Sequence, residues 1–307
     1  MRITVAGAGI IGLSTAYGLK MAGHNVSVIA KNFSPDITSN KAAAFWFPYH
    51  IRNDHRGIEW CRKSYNVYTE FSSDSLSGIS SKKIIKAIHE TTNEEDNSWL
   101  DYMPSQSFKI VEKDDLPRGY KKGYEAVVPL IETQIFLPWL MEKLGNMGVS
   151  FTKADIESLE DITDCDLIIN CCGLGSKLLE SDSEIYAVRG QVALLKAKNL
   201  DHIFLENEKP LYIVPRQDAI IVGGTFEENI YEEKTVQETL TTILENAYNI
   251  MPELRDQEVI GSWAGLRPYR KLVRLEKVGK VIHNYGHGGS GFTLAWGCAE
   301  DVKNLIN

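Results

Sequence analysis

Arg2-Ile3-Thr4-Val5-Ala6-Gly7-Ala8-Gly9-Ile10-Ile11-Gly12 is the stretch on which the fold turns. Residues 2–6 read as a short apolar strand. A helical pattern of Leu13, Ala16, Tyr17, Leu19 and Lys20 begins directly after the glycines. G-x-G-x-x-G between a strand and a helix is a turn that carries a dinucleotide pyrophosphate. Gly7 allows the tight turn, Gly9 lets the pyrophosphate approach the backbone, and Gly12 lets the helix pack on the strand. The helix N-terminus offers unpaired N–H groups and a partial positive charge to the phosphates. Asn25-Val26-Ser27-Val28-Ile29-Ala30 supplies the second strand of the unit. Gly7, Ala8, Gly9, Ile10, Ile11 and Gly12 are therefore the first cofactor-binding candidates.

The second strand should end with an acid for the adenosine ribose, about 20 residues beyond the glycines. It ends Ala30-Lys31-Asn32 instead. Either Lys31 meets a 2′-phosphate, which would select NADP, or Asn32 and backbone groups hold the ribose and Lys31 is solvated. The segments that follow favour the second reading. Residues 34–40 form a loop of turn formers. Lys41-Ala42-Ala43-Ala44-Phe45-Trp46-Phe47-Pro48-Tyr49 then sets small residues before aromatics. That order suits a backbone approaching a flat ring beside a walled pocket, and equally a short core helix.

The bulk properties narrow the class. The chain has 307 residues, enough for one large or two ordinary domains. A net charge of −8 gives no field that attracts nucleic acid or anionic lipid. No apolar run reaches the length of a membrane span, and the glycine-interrupted N-terminus reads as the first strand rather than a signal peptide. Cys61, Cys165, Cys171, Cys172 and Cys298 show no metal spacing. Buried thiols in a reducing compartment explain them. With no peroxisomal C-terminal tripeptide, a cytoplasmic location is expected.

Further along, residues 55–71 read as a helix, 72–81 as a Ser-rich connection, 84–89 as a strand and 91–97 as a loop; His89 is read as structural. A strand at 124–130, a helix at 136–147 and a strand at 149–153 follow. Residues 166–173 are a buried-type strand with glycine at its carboxyl end, where ligands of parallel sheets sit, so Gly173-Leu174-Gly175 joins the cofactor candidates. Then the character changes. Residues 186–195, 211–215 and 219–224 are β-rich and separated by turn chemistry, which reads as an antiparallel sheet of a second domain beside the first. Arg216, in one of those turns, is read as solvated. A helix at 233–250 and a strand at 259–263 lead to Ala264-Gly265-Leu266-Arg267-Pro268-Tyr269-Arg270. A strand at 281–285 enters Gly286-His287-Gly288-Gly289-Ser290-Gly291-Phe292-Thr293 and a terminal helix. Two Gly-rich strand–turn–helix units at opposite ends imply one nucleotide domain built from 1–50, 140–182 and 259–307. Residues 51–139 and 183–258 would form the substrate domain.

These segments resemble the D-amino-acid oxidase family of FAD enzymes, which includes D-aspartate oxidase. The resemblance is carried by the opening glycines, the Ala-Ala-Ala-Phe-Trp-Phe-Pro-Tyr run, Asn170-Cys171-Cys172-Gly173, Arg189-Gly190-Gln191, Tyr212-Ile213-Val214-Pro215, Gly265-Leu266-Arg267-Pro268 and His283-Asn284-Tyr285-Gly286-His287-Gly288-Gly289. They span almost the whole chain. The resemblance implies an α/β fold: a Rossmann-type FAD-binding domain of N- and C-terminal segments, with a mixed or antiparallel substrate sheet. Beyond the opening turn, it implies FAD contacts at Lys31, Asn32, Ser39, Ala43, Ala44, Phe45, Ile156, Cys172, Gly173, Arg267, Gly288, Gly289, Ser290, Gly291, Phe292 and Thr293.

For the substrate it implies a bidentate carboxylate clamp at Arg267 and a second hydrogen bond from Tyr212. The Gly289 carbonyl would accept from the amine. No side chain need act as a general base, because orientation and the flavin's electronics do the chemistry. Phe45, Phe47 and Val214 would make an apolar side-chain pocket that Ser290, standing where the family can carry an aromatic, would widen. His50, Arg216 and Arg270 are the cationic candidates for an acidic side chain, and pocket polarity favours neutral D-amino acids. The connection from Phe204 to Tyr212 is short, which implies a small lid and easy exchange. The expected partners are a D-amino acid and dioxygen, with neither nucleic acid nor membrane nor metal, and a homodimer is compatible. The competing readings are D-aspartate or D-glutamate oxidase, a glycine- or sarcosine-type amine oxidase, an NAD(P)-dependent dehydrogenase and a non-catalytic flavin-binding protein.

Overall fold

The computed structural model describes residues 1–48, 55–93, 97–103, 108–206 and 211–306. The chain opens with β1 (Arg2–Ala6), α1 (Ile10–Met21) and β2 (Asn25–Ala30), followed by α2 (His55–Phe71), β3 (Ile79–His89), β4 (Phe108–Glu112) and β5 (Tyr120–Ile131). Next come α3 (Thr133–Asn146), β6 (Ser150–Lys153), β7 (Leu167–Asn170), the short α4 (Ser176–Leu179), β8 (Tyr186–Lys196), β9 (His202–Glu206), β10 (Leu211–Pro215) and β11 (Ala219–Gly223). The chain closes with β12 (Glu227–Glu228), α5 (Gln237–Ile250), β13 (Val259–Val278), β14 (Val281–His287) and α6 (Gly291–Asn304).

The opening unit forms for local reasons. Ile3, Val5 and Ala6 are buried because β1 is sandwiched in a parallel sheet, which asks for a continuous apolar run. Gly7 takes φ +110°, a conformation that side chains resist, and so ends the strand in one residue. A Cβ on Gly12 would run into the Gly7 carbonyl, so the helix can seat on the turn only because that position is bare. Leu13, Ala16 and Leu19 then bury one face of α1, and α6 packs across it: Ser14 donates to the Ala295 carbonyl at 3.2 Å.

Among the described residues the strands form one mixed sheet, in the order β4-β5-β3-β9-β10-β11-β8-β13-β14-β7-β1-β2-β6. The five strands from β14 to β6 are parallel. From β5 to β14 the pairings are antiparallel except for β3 with β9. The expected pair of adjacent sheets is thus a single sheet. β13 joins the halves, pairing with β8 over Val259–Tyr269 and with β14 over Tyr269–Val278. Its Gly265 and Pro268 disguise a 20-residue strand in the sequence. Pro268 is tolerated because it lies where β13 has β8 alone as a neighbour.

Other boundaries also differ. β3 begins at Ile79, inside the Ser-rich connection, because Ser80 and Ser81 pair through backbone with Leu130 and Pro129. Residues 41–48 are not a helix. After a turn at Thr38–Lys41 they run extended along β5: Ala44 takes φ +53°, Ile131 N donates to its carbonyl, and Trp46 N donates to the Pro129 carbonyl. Helix α5 starts at Gln237 rather than 233, since Val236 N is bound by Gln191 Oε1 at 2.6 Å. Strands β4 and β9 have no periodic signal of their own and form by pairing.

Candidate active site

A cleft of about 1130 Å³ runs over the carboxyl ends of β1, β2 and β7 and on toward β10 and β13. At its first end lie Gly7, Ala8, Gly9, Ile10 and Ile11, where α1 has no side-chain cap. Ser39 Oγ comes from the far loop to accept from Ile10 N at 3.0 Å, and leaves the rest of the helix N-terminus to a ligand. Lys31, Asn32, Ile156, Cys172 and Gly173 line this end. Lys31 is 68 % exposed and held at 2.6 Å by Asp155, from the loop after β6. The Cys172 thiol bonds the Ala6 carbonyl, and burial pushes it up to about 12, which keeps it protonated.

The wall of the middle is Ala43, Ala44, Gly288, Gly289, Gly291, Phe292 and Thr293. Thr293 staples the two sides: its Oγ1 donates to the Phe47 carbonyl at 2.8 Å. Two buried polar atoms on this wall, Asn284 Oδ1 and His287 Nε2, have no partner among the described residues. Buried polar groups are normally satisfied, so these two point to a polar ligand. His287 is pushed down to about 3 by burial and is neutral.

At the other end Tyr212, Arg267, Phe45 and Phe47 meet. Arg267 Nη1 donates to the Thr225 carbonyl at 2.8 Å, and among the described residues no carboxylate pairs with this cation. Tyr212 lies beside it; burial raises the phenol above its ordinary range, so it stays a hydrogen-bond donor. Phe45 packs edge-on to Tyr212 at 6.5 Å between ring centroids, and Phe47 lies 5.3 Å from Trp99. Val192 and Leu205 complete an apolar wall.

Several expected residues lie elsewhere. Gly12 sits behind the turn, as its packing role requires. Val214 is wholly buried in the core, and Ser290 is buried in the turn before α6; neither lines the cleft. Arg216 is not solvated. Its side chain is fully buried and bonded to Asp218, to Thr133 Oγ1 at 3.0 Å and to the Ala42 carbonyl at 3.3 Å, with Glu132 at 3.4 Å. Arg270 is taken by Asp182 at 3.1 Å, away from the cleft. His50 and Tyr49 lie outside the described residues, as do residues 207–210 of the expected lid. Lys41, Glu233, Gly190, Asn284 and His287 line the cleft without having been anticipated. For His287 the signal was there, because it stands inside the Gly-rich motif.

The parallel sheet, the glycine turn and the long cleft define a dinucleotide-dependent protein. The chain belongs to the FAD-dependent oxidoreductase family (DAO), whose family model matches residues 2–305. It is 33 % identical over 313 residues to the D-amino-acid oxidase of Rubrobacter xylanophilus, covering 99 % of this chain and 95 % of that one. It is 30 % identical to the human D-aspartate oxidase over 325 residues, covering 100 % and 94 %. In fold it is similar to the glycine oxidase of Bacillus cereus, with a TM-score of 0.85 at 19 % identity over 99 % and 96 % of the two chains. The cofactor is FAD, and the nicotinamide alternative raised by Lys31 falls. The α1 terminus, whose Gly9 cap residue has no side chain to offer, and the unpartnered Asn284 and His287 atoms suit such a group.

Proposed function

We propose that this FAD-dependent oxidoreductase of amino acids acts on D-amino acids with neutral, apolar side chains. The products are a 2-oxo acid, ammonia and hydrogen peroxide. The observation that carries this reading is the unpaired Arg267 cation beside the neutral Tyr212 phenol, facing an aromatic wall in the same cleft. The D-amino-acid oxidases among the relatives support it. Residues 1–50, 140–182 and 259–307 are read as the FAD-binding part and 51–139 with 183–258 as the substrate part. Gly7–Ile11, Lys31, Asn32, Ser39, Ala43, Ala44, Ile156, Cys172, Gly173, Gly288, Gly289, Gly291, Phe292 and Thr293 are the residues assigned to the cofactor.

Bound FAD supplies the two-electron acceptor for the substrate's α C–H and returns those electrons to dioxygen. The chain's part is orientation. Arg267 takes the carboxylate through its parallel N–H donors. Tyr212 donates to the same group. The Gly289 carbonyl accepts from the amine and thereby fixes the third substituent of the α-carbon. Phe45 and Phe47 take the side chain and exclude water. Three fixed substituents select one hand of the α-carbon.

An acidic-substrate reading has the human D-aspartate oxidase behind it, but neither Arg216 nor Arg270 faces the cleft. Visible spectra of the holoenzyme under anaerobic conditions, taken with D- and L-alanine, D-methionine, D-phenylalanine, D-aspartate, glycine and sarcosine, test the proposal. Bleaching by the neutral D-isomers is expected. Preferential bleaching by D-aspartate, or by glycine and sarcosine without D-preference, would transfer the assignment.

A further inference from the structure

Behind Arg267 stand four residues that do not line the cleft: Arg189, Gln191, Thr225 and Glu227. Glu227 is gripped from three sides. Arg189 Nη2 donates to its Oε1 at 2.9 Å, and Arg189 Nε donates to Oε2 at 2.9 Å. Gln191 Nε2 reaches both oxygens at 3.1 and 3.0 Å, and Thr225 Oγ1 donates to Oε2 at 2.9 Å. Thr225 Oγ1 in turn accepts from Gln191 N at 3.0 Å. Thr225 is thus held on both sides, and its carbonyl is the group that receives Arg267 Nη1. The segment follows Gly223 and Gly224 and is otherwise ordered by the two-residue pairing of β12 with β8, by Phe226 packing edge-on to Tyr269 and by Asn229 N donating to the Ala187 carbonyl.

We infer that Glu227 is a positioning residue for Arg267, fixing through Thr225 the carbonyl that aims the guanidinium into the cleft. The inference rests on the reading of Arg267 as the substrate-carboxylate clamp. The arrangement solves a specific electrostatic problem. A carboxylate beside Arg267 would order it but would also compete with the substrate. Here the ordering group that touches Arg267 is a neutral carbonyl, and the carboxylate behind it is already neutralised by Arg189. Arg189's hydrogen bonds hold the Glu227 carboxyl below its usual range, so the tie persists to mildly acidic pH. One Nη1 hydrogen is spent on Thr225 and the guanidinium also touches the Tyr212 phenol, and the remaining donors of the fork are left for a carboxylate.

Glu227→Ala holoenzyme, titrated with benzoate as a carboxylate that has no α-hydrogen and followed by the flavin absorption, tests this. The expected result is a benzoate Kd and a KM for D-methionine raised about tenfold, the size of one hydrogen bond to a charged group. FAD affinity should stay within about twofold, because none of the four residues lines the cleft. Benzoate affinity within about twofold of the unaltered protein overturns the inference. So does a fall in FAD affinity by the same factor as benzoate, which would mark Glu227 as merely structural. Thr225→Val keeps the carbonyl and removes the hydroxyl's bonds to Gln191 N, Glu227 and the Arg189 carbonyl. Should Glu227→Ala not fold, a several-fold weaker benzoate Kd in Thr225→Val sustains the inference and an unchanged one overturns it. Arg267→Ala separates the two levels: if it binds benzoate normally, the clamp reading itself fails. If it loses benzoate while Glu227→Ala does not, only the role of Glu227 fails.

Discussion

The Arg267 guanidinium occupies the volume that a side chain on Gly190 would need: a Cβ built there falls 2.6 Å from Arg267 Nη1. The two residues sit on neighbouring strands, with Gly265 opposite Gly190 and Arg267 two residues further along β13. Gly190→Ala must therefore displace the guanidinium. The backbone there is extended β8, which alanine accepts, so the protein should fold and keep FAD. The expected loss is about 100-fold in kcat/KM for D-amino acids, on the scale that a misplacement of about 1 Å costs. Retained kcat/KM in a folded, yellow Gly190→Ala protein would remove Arg267 from substrate binding.

Arg216 is a buried cation with a structural role. Its removal leaves Glu132 without a counter-charge at 3 % exposure, where burial already raises the carboxyl's pKa. Arg216→Ala should lose about 3–5 kcal/mol of stability in denaturant unfolding. FAD affinity should fall with it, because Arg216 also holds the Ala42 carbonyl at the cleft wall. A cost under about 1 kcal/mol would show that the cluster is not organising this corner.

His287 makes stability depend on pH. Burial pushes it down to about 3, against an ordinary value near 6.5. Below that ordinary value the unfolded chain binds a proton that the folded chain refuses. Stability is therefore full above about pH 6.5 and falls as the pH drops toward 3. Between pH 6.5 and 5 the loss is about 2 kcal/mol. His283, pushed down to about 4, adds to it with the same sign. Unfolding free energies measured between pH 7.5 and 5 should decline more steeply in the unaltered protein than in His287→Asn. Parallel curves would mean that His287 is not buried neutral.

Lys31 should matter little. Lys31 and Asp155 are 68 % and 62 % exposed, and such pairs contribute less than about 1 kcal/mol. Lys31→Ala should keep its unfolding midpoint within that limit, and neither form should bind NADPH in a fluorescence titration. Saturable NADPH binding that Lys31→Ala abolishes would reopen the ribose question.

What the sequence discloses is what depends on near neighbours. The β1–α1–β2 unit was legible because its strand, turn and helix are adjacent in the chain and the glycines are needed there. The substrate end was legible through motifs, yet not its wiring. Arg216-Gln217-Asp218 looks like any solvated turn. Only tertiary contact brings Ala42, Glu132 and Thr133 around it, from positions more than 80 residues away. Val214 fits an apolar pocket by composition, but the sheet turns it into the core. β13 was hidden because glycine and proline argue against a strand, whereas its two partners supply the pairing. Thr225 and Glu227 carried no signal until the register of β8 against β12 and β13 was known.

The sheet order also sets a timetable for synthesis. β1 is made well before its neighbour β7, which ends at Asn170, and before the wall opposite the glycine turn, which ends at Thr293. A nascent chain halted before Val281 has the phosphate turn and its near side but lacks the wall formed by Gly288 to Thr293. The cofactor cleft is therefore complete only once the chain through Thr293 has been made. Until then β7 has an open edge where β14 will pair, and that unpaired strand edge is what a chaperone would have to cover.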